Sequence, residues 1–461
     1  MQAISDYRLS EELFSSETTK VCRAVHLGDG RQVVLKILSG EQTRPEAFVE
    51  YRREFEITAS LKGVVGVIEV IGLENIQDTV MIVEEDIGGR SLASILEGGR
   101  VDLAEALSLA IRLARALGQI HRQHVIHKDI NPANIIWNRA ADEVRIIDFG
   151  ISSQLSQERQ EFQSVNQLEG SLAFISPEQT GRVNRRLDYR SDLYSLGVSL
   201  YQLFAGALPF VAREGIELVH AHIALTPVPP HEVNPELPLA VSQIVMRLMA
   251  KMADDRYQSA AGLEYDLQHC LDQLRATGQL APFPLAANDA SIRFQIPQKL
   301  YGREAEIATI IAAFDRSTQG PSELLLVSGF SGAGKSALVH EVHKPLTERC
   351  GNFITGKFDQ YQRDIPFYAW TRAFEEFCNL LLKEDESSLA EWRERISAAV
   401  GAIGKVLTDV IPSVETIIGP QAEIPPLAGE QALNRLNYVF GNFLGAVCRP
   451  DHPLVIFLDD W

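Results

Sequence analysis

His127-Lys128-Asp129-Ile130-Asn131-Pro132-Ala133-Asn134 and, 14 positions beyond Asn134, Asp148-Phe149-Gly150 decide how this chain is read. The second string follows Val144-Arg145-Ile146-Ile147, an apolar run that predicts a strand with Asp148 at its end. Transfer of a phosphoryl group from ATP asks little covalent chemistry of a protein. It needs a carboxylate to orient the attacking hydroxyl and ligands to hold Mg²⁺ on the phosphates. Asp129 suits the first role, and Asn134 and Asp148 suit the second.

Upstream, the texture is that of a strand-rich unit with one helix. Gln32-Val33-Val34-Leu35-Lys36-Ile37-Leu38 is apolar and β-branched between Gly30 and Gly40, and predicts a strand carrying Lys36. Pro45 to Leu61 predicts a helix with Phe48, Tyr51, Phe55 and Ala59 near one face. Val80 to Val83 predicts another strand, and Glu85 just past it is a candidate nucleotide-binding residue. From Asp102 the pattern turns to long helices. Asp102 and Glu105 have the spacing of a capping box. Leu103, Leu107, Ala110, Ala114, Leu117 and Ile120 then form a helical stripe, read as a buried core face.

These signals, in this order, resemble the protein kinases. The resemblance implies a small strand-rich lobe before a larger helical lobe. It implies that Lys36 holds the α and β phosphates, with Glu54 of the next helix as its partner and Glu56 as the alternative. Glu178, in Ser176-Pro177-Glu178, then pairs with Arg256 as a buried structural ion pair, and Asp192 starts a helix and braces the catalytic loop from beneath.

Longer stretches narrow the resemblance to the large bacterial proteins that join a serine/threonine kinase, a P-loop ATPase and a sensor histidine kinase. They are Gly170 to Arg182, Arg293 to Glu304, and Gly356-Lys357-Phe358-Asp359-Gln360. The expected architecture is an α+β bilobal protein-kinase fold over residues 1–275, a linker over 276–298 marked by Gly278, Pro282 and Pro284, and an incomplete α/β P-loop NTPase domain of the AAA type over 299–461.

Three departures from the kinase pattern stand out. The phosphate-covering loop, Ser15-Ser16-Glu17-Thr18-Thr19, has no glycine. Ser16 and Thr18 are candidates to donate to phosphate there, while Glu17 would repel it. Asn131 stands where many such kinases carry a lysine that contacts the γ-phosphate. Lys128 replaces an arginine that often docks a phosphorylated activation loop, and lysine lacks the bidentate fork. Ser152, Ser153, Ser156, Ser164 and Ser171 are candidate phosphorylation positions, though any single one is better read as an ordinary loop serine.

Gly329-Phe330-Ser331-Gly332-Ala333-Gly334-Lys335-Ser336 fits the pattern G-x-x-x-x-G-K-[ST]. Backbone amides around Gly329, Gly332 and Gly334 would cradle phosphate at a helix N-terminus. Lys335 would reach the β and γ phosphates, and Ser336 would ligate Mg²⁺. The pattern expects a buried strand over Glu323 to Ser328 before it and a helix from Ser336 after it. Leu454 to Asp460 resembles the second P-loop motif, with Asp459 on Mg²⁺ and Asp460 beside the attacking water. A chain that stops on such a strand, at Trp461, reads as a fragment, because helices must cover the sheet.

Composition bounds the rest. A net charge of −18 argues against a general nucleic-acid binder. The five cysteines are far apart and suit reduced thiols in the cytoplasm. No apolar run has the length of a membrane span. The leading expectation is an ATP- and Mg²⁺-dependent kinase for protein serine and threonine, with sensor histidine kinase modules as possible downstream partners. The rival is a scaffold that binds nucleotide without efficient transfer, motivated by the glycine-free loop and Asn131.

Overall fold

Period-two alternation builds the first sheet. In the computed structural model, β1 (Ala3–Ile4), β2 (Tyr7–Ser15), β3 (Thr19–His26), β4 (Gln32–Leu38), β5 (Val70–Ile76) and β6 (Thr79–Glu85) form one antiparallel sheet in the order β1-β2-β3-β4-β6-β5. The structure describes residues 3–4, 6–16, 18–38, 45–76, 79–154, 172–180, 187–212, 215–289, 302–330, 333–340, 342, 346, 351–358, 367–382, 386–425, 427, 429–449 and 452–459. Glu17, Ser156, Ser164, Gly170, Ser171, Gly181, Arg182, residues 290–301, Ser331, Gly332, Asp359, Gln360, Asp460 and Trp461 lie outside the described residues.

Val33, Leu35 and Ile37 of β4 pack with Met81 and Val83 of β6 and with Tyr7 and Ala24. The other face of the same strands carries Leu38, Val80 and Ile82, and takes the helix α1 (Pro45–Ser60) through Tyr51, Phe55 and Ala59. Lys36 lies on this second face, opposite Ile82 in register. A slip of one residue would turn Lys36 into the apolar layer, so burial of Val33, Leu35 and Ile37 is what fixes its direction.

The second lobe is helical. Asp102 caps the helix Leu103–Arg122 by accepting from the N–H groups of Ala104 and Glu105. The expected capping box is only half made, because the Glu105 carboxylate bonds Arg139 instead. The stripe Leu107, Ala110, Ala114, Leu117 and Ile120 is buried, as its spacing predicts. It shares one core with the helices Arg190–Ala205, Leu239–Leu248 and Ala260–Thr277.

Residues 280–289 fall in the stretch expected to be a linker, yet they pack. Leu280, Phe283, Leu285 and Ala286 lie against this core. Asp289 then accepts from Gln258 N–H at 2.5 Å and from the Ser259 hydroxyl at 2.7 Å, at the start of the helix Ala260–Thr277. Gly262 makes room for it, since an added Cβ there would stand 2.4 Å from the Asp289 carboxylate. A Pro- and Gly-rich stretch reads as linker because its contacts are side-chain caps and isolated apolar anchors, which have no period.

The C-terminal region holds the helix Glu304–Gln319, the short helix Lys335–His340 and the parallel strands Asn352–Lys357 and Leu454–Asp459. Helices Tyr368–Leu381, Glu386–Val400 and Glu430–Val447 cover this pair around Phe374, Phe377 and Phe443. One expectation fails here. Glu323 to Ser328 forms no strand, and Leu324 and Leu326 are 85% and 71% exposed. A strand is made by its ladder, and among the described residues this segment makes no ladder with either strand of the parallel pair.

Candidate functional site

The cleft face of β4 meets α1 at a buried ion pair. Lys36 Nζ donates to Glu54 Oε1 at 2.6 Å and to Asp148 Oδ1 at 3.1 Å. Glu54 is the partner the spacing favoured, and the alternative, Glu56, pairs on the surface with Arg52. Burial pulls Lys36 down, but Asp148 and Glu54 outweigh it and hold the ammonium well above its usual range. Burial raises Glu54, and the nearby Asp148 adds to that rise against the pull of Lys36. Burial also pulls Asp148 up, yet Lys36 and the Gly150 N–H lower it further, so it sits below the ordinary carboxylate range. Asp148 adopts φ 65°, a left-handed backbone rare for a side chain larger than glycine. Gly150 leaves space for it, since a Cβ there would stand 3.2 Å from Asp148 Oδ1 and 3.6 Å from Glu54 Oε2.

The string from His127 to Asn134 is held from below and from both sides. Asp192, fully buried, accepts from His127 N–H at 2.9 Å and Lys128 N–H at 2.7 Å, and contacts His121 Nε2 at 2.9 Å. This is the expected brace. His127 Nδ1 accepts from Asp129 N–H at 3.2 Å, so Nε2 carries the proton and donates to the Ile147 carbonyl at 3.1 Å. That bond ties the loop to the residue before Asp148. Asn131 Nδ2 donates to Asp129 Oδ1 at 2.9 Å, and Asn134 Nδ2 donates to Asp129 Oδ2 at 2.9 Å. Both carboxylate oxygens of Asp129 are therefore oriented by amides. With its nitrogen so used, Asn134 presents Oδ1 as a hard oxygen, and Asp148 presents a carboxylate that is 40% exposed. These are oxygen donors of the kind Mg²⁺ takes.

Beyond the cleft, Glu178 and Arg256 form a buried bidentate pair, with Nη1 to Oε1 at 2.6 Å and Nη2 to Oε2 at 2.9 Å. Burial opposes ionisation, but Arg256 and the Ser191 hydroxyl win and bring the Glu178 carboxyl down to about 2. The neighbouring Gln179 donates to the Lys128 carbonyl at 2.6 Å and accepts from Ser176 N–H at 3.1 Å. So the segment around Glu178 clamps the loop that holds His127, Lys128 and Asp129.

Other candidate residues are placed differently. Ser16 closes the β2–β3 hairpin: its N–H donates to the Thr19 carbonyl at 2.8 Å, and its hydroxyl accepts from Thr19 N–H at 3.0 Å. Its hydroxyl is committed to the turn, while Thr18 is exposed at the tip. The Glu85 carboxylate bonds Arg145 at 2.8 Å, on the strand face opposite Lys36. In the C-terminal region, Lys335 Nζ donates to the carbonyls of Gly329 at 3.0 Å and Phe330 at 3.2 Å. Ser336 Oγ donates to Asp459 Oδ2 at 3.3 Å, so the two halves of the P-loop pattern meet. Gly334 has φ 82°, which explains glycine at that turn.

Two participants escaped the sequence reading. Asn131 counted as a departure, yet it orients Asp129. Glu84 belongs to none of the motifs, although a charge in the alternating series Val80, Ile82, Glu84 is a readable signal. It is buried on the Lys36 face, and burial, with Glu54 and Asp148 adding against Lys36, pushes its carboxyl up to about 8.

Comparison with known proteins finds two domain families along the chain. Residues 7–270 match the protein kinase domain model, and residues 299–461 match the AAA ATPase domain model. A hybrid signal transduction histidine kinase of Dictyostelium discoideum is 30% identical over 78% of this chain, which covers 13% of that relative. A probable serine/threonine-protein kinase of Streptomyces coelicolor is 32% identical over 58% of the chain and 40% of the relative. A Clostridium acetobutylicum counterpart is 30% identical over 55% of the chain and 38% of the relative. The chain thus spans well under half of each relative's length. Among the described residues, no helix is long and apolar enough to cross a membrane.

Proposed function

The chain belongs to the protein kinase domain family, and we propose that it is an ATP-dependent kinase for serine and threonine hydroxyls of proteins. The observation that carries this reading is the joined set Glu54–Lys36–Asp148, assembled across residues 112 positions apart in sequence. Lys36 positions the α and β phosphates, and Glu54 fixes its ammonium. Asn134 and Asp148 would hold Mg²⁺, which supplies charge neutralisation at the phosphate oxygens. Asp129 orients the substrate hydroxyl and accepts its proton, with its two oxygens aimed by Asn131 and Asn134. The P-loop region, with Lys335, Ser336 and Asp459, acts as a nucleotide-dependent switch in the same signalling protein. A cytoplasmic location and histidine kinase modules as downstream partners complete the proposal; the likeness to a hybrid histidine kinase supports the second.

A scaffold reading has one specific support: Asn131 offers the γ-phosphate no cation. Transfer of labelled γ-phosphate from ATP·Mg²⁺ to the protein itself and to a generic basic protein separates the two. Label that disappears in Asp129→Asn supports the kinase. ATP binding without label in the unmodified protein supports the scaffold.

A further inference from the structure

Tyr51 touches two parts of the cleft that the sequence keeps apart. It lies on α1 three residues before Glu54, so the two side chains are neighbours on one helix face. Its side chain is buried and packs with Leu38, Val80 and Ile82 on the sheet face that carries Lys36. Lys36 Nζ stands 5.7 Å from the centre of the ring, and an ammonium is attracted to the electron-rich face of an aromatic. Phenylalanine would fill the same space. The hydroxyl is therefore the informative part, and it reaches out of the helix. It donates to Thr19 Oγ1, 3.2 Å away at the start of β3.

Thr19 is the fixed point of the phosphate-covering loop. Its N–H donates to Ser16 Oγ at 3.0 Å, and its carbonyl accepts from the Ser16 N–H at 2.8 Å and the Ser16 hydroxyl at 3.2 Å. With the Tyr51 bond, backbone and side chain of this one residue join the loop to itself and to α1. Glycine lets such a loop settle on phosphates through many backbone conformations. Ser15-Ser16-Glu17-Thr18-Thr19 has a side chain at every position, so its reach is narrower and its placement has to come from outside the loop. The Tyr51–Thr19 bond is a tether to the helix that also holds Glu54.

We propose that Tyr51 is a positioning residue for phosphoryl transfer: through Thr19 it ties the glycine-free loop to α1, so that the loop takes its place over the phosphates together with the joining of Glu54 to Lys36. The role rests on the kinase reading and names the joint between its two phosphate-holding parts. Lys36 grips the phosphates, the loop covers them, and Tyr51 gives both one helix as reference. Removal of the hydroxyl frees the loop, while the ring, its contact with Lys36 and the apolar packing stay.

The test is transfer of labelled γ-phosphate from Mg·ATP by the full chain, counting the part that Asp129→Asn abolishes, with adenosine as a competing inhibitor. Adenosine lacks the phosphates that the loop covers. Tyr51→Phe should lower kcat/KM for ATP by about fivefold, the worth of one neutral hydrogen bond, with the Ki of adenosine and the melting point unchanged. Thr19→Val keeps the β-branched shape without the hydroxyl. It should give the same loss, and the double variant should be no worse than either single one. An unchanged kcat/KM in Tyr51→Phe, an equal loss for adenosine, or losses that add in the double variant would overturn the role. Absence of any Asp129-dependent label from the unmodified protein instead overturns the kinase reading, and the role with it.

Discussion

Two lysines, each the centre of a nucleotide motif, are held in opposite ways. Lys36 is fixed by carboxylates 18 and 112 positions away, on a helix and beyond a strand of other parts of the fold. Lys335 is held by carbonyls six and five positions back in its own loop. The first geometry exists only when two lobes are folded and packed. The second is a property of a short loop. The difference should appear in stability as well as in function, and it orders the effects of substitution.

The largest loss of stability is expected where long-range charge is most deeply buried. Arg256→Met leaves Glu178 buried without its partner, and breaking one side of such a pair costs about 3–5 kcal/mol. Thermal melting of the kinase unit checks this. The same pair sets an acid limit. Glu178 is held below its unfolded value, so its stabilisation is full above about 4.5 and is lost as pH falls toward about 2. Glu84 gives the opposite slope. Its value is raised to about 8, so stability is lost as pH rises from about 4.5 to 8, and Glu84→Gln should remove that slope. Melting followed from pH 3 to 9, a range chosen on the order of these two transitions, tests both signs.

Lys36→Ala comes next. It should lower phosphoryl transfer by about 10²–10³, the usual worth of one electrostatic contact to the transition state. It should also lower the melting point, because Glu54 must then take up a proton inside the protein. Loss of activity with an unchanged melting profile would mean that Lys36 is functional but not structurally integrated, and would erase half of the contrast with Lys335.

The same contrast explains what could be read from the chain. Lys36, Glu54, Asp129, Asn134 and Asp148 were legible because each sits in a short string beside a regular element, and the order of strings carried the pairing. The Glu178–Arg256 pair was legible for the same reason. Glu84 and residues 280–289 were harder to read. Glu84 interrupts an apolar alternation by a single residue. The segment to Asp289 is fixed by caps to Gln258 and Ser259 and by isolated side chains such as Phe283. The leucines at 324–326 failed in the other direction: an apolar run states a wish for burial, but a strand needs a partner edge.

Asn131 tests how local the catalytic loop is. Its amide is one of two that aim the Asp129 carboxylate, and its Oδ1 accepts from Ala133 N–H at 2.9 Å to shape the turn. Asn131→Ala should lower kcat by about tenfold, one neutral hydrogen bond, with KM for ATP little changed. A matching rise in KM would instead place Asn131 on the nucleotide.

The smallest structural effect is expected from Lys335→Ala, and it is the sharpest test of the comparison. Among the described residues, the Lys335 side chain bonds the loop carbonyls of Gly329 and Phe330, and its removal should change melting by no more than about 0.5 kcal/mol, as for a surface substitution. The functional effect should still be clear: bound ATP falls from two per chain toward one, while label transfer dependent on Asp129 continues. Calorimetric titration beside a melting curve gives both numbers on one sample. A large drop in stability would mean that the P-loop lysine is as deeply integrated as Lys36. Unchanged stoichiometry would mean that the loop, although it carries the motif and meets Asp459 through Ser336, is not a second nucleotide site.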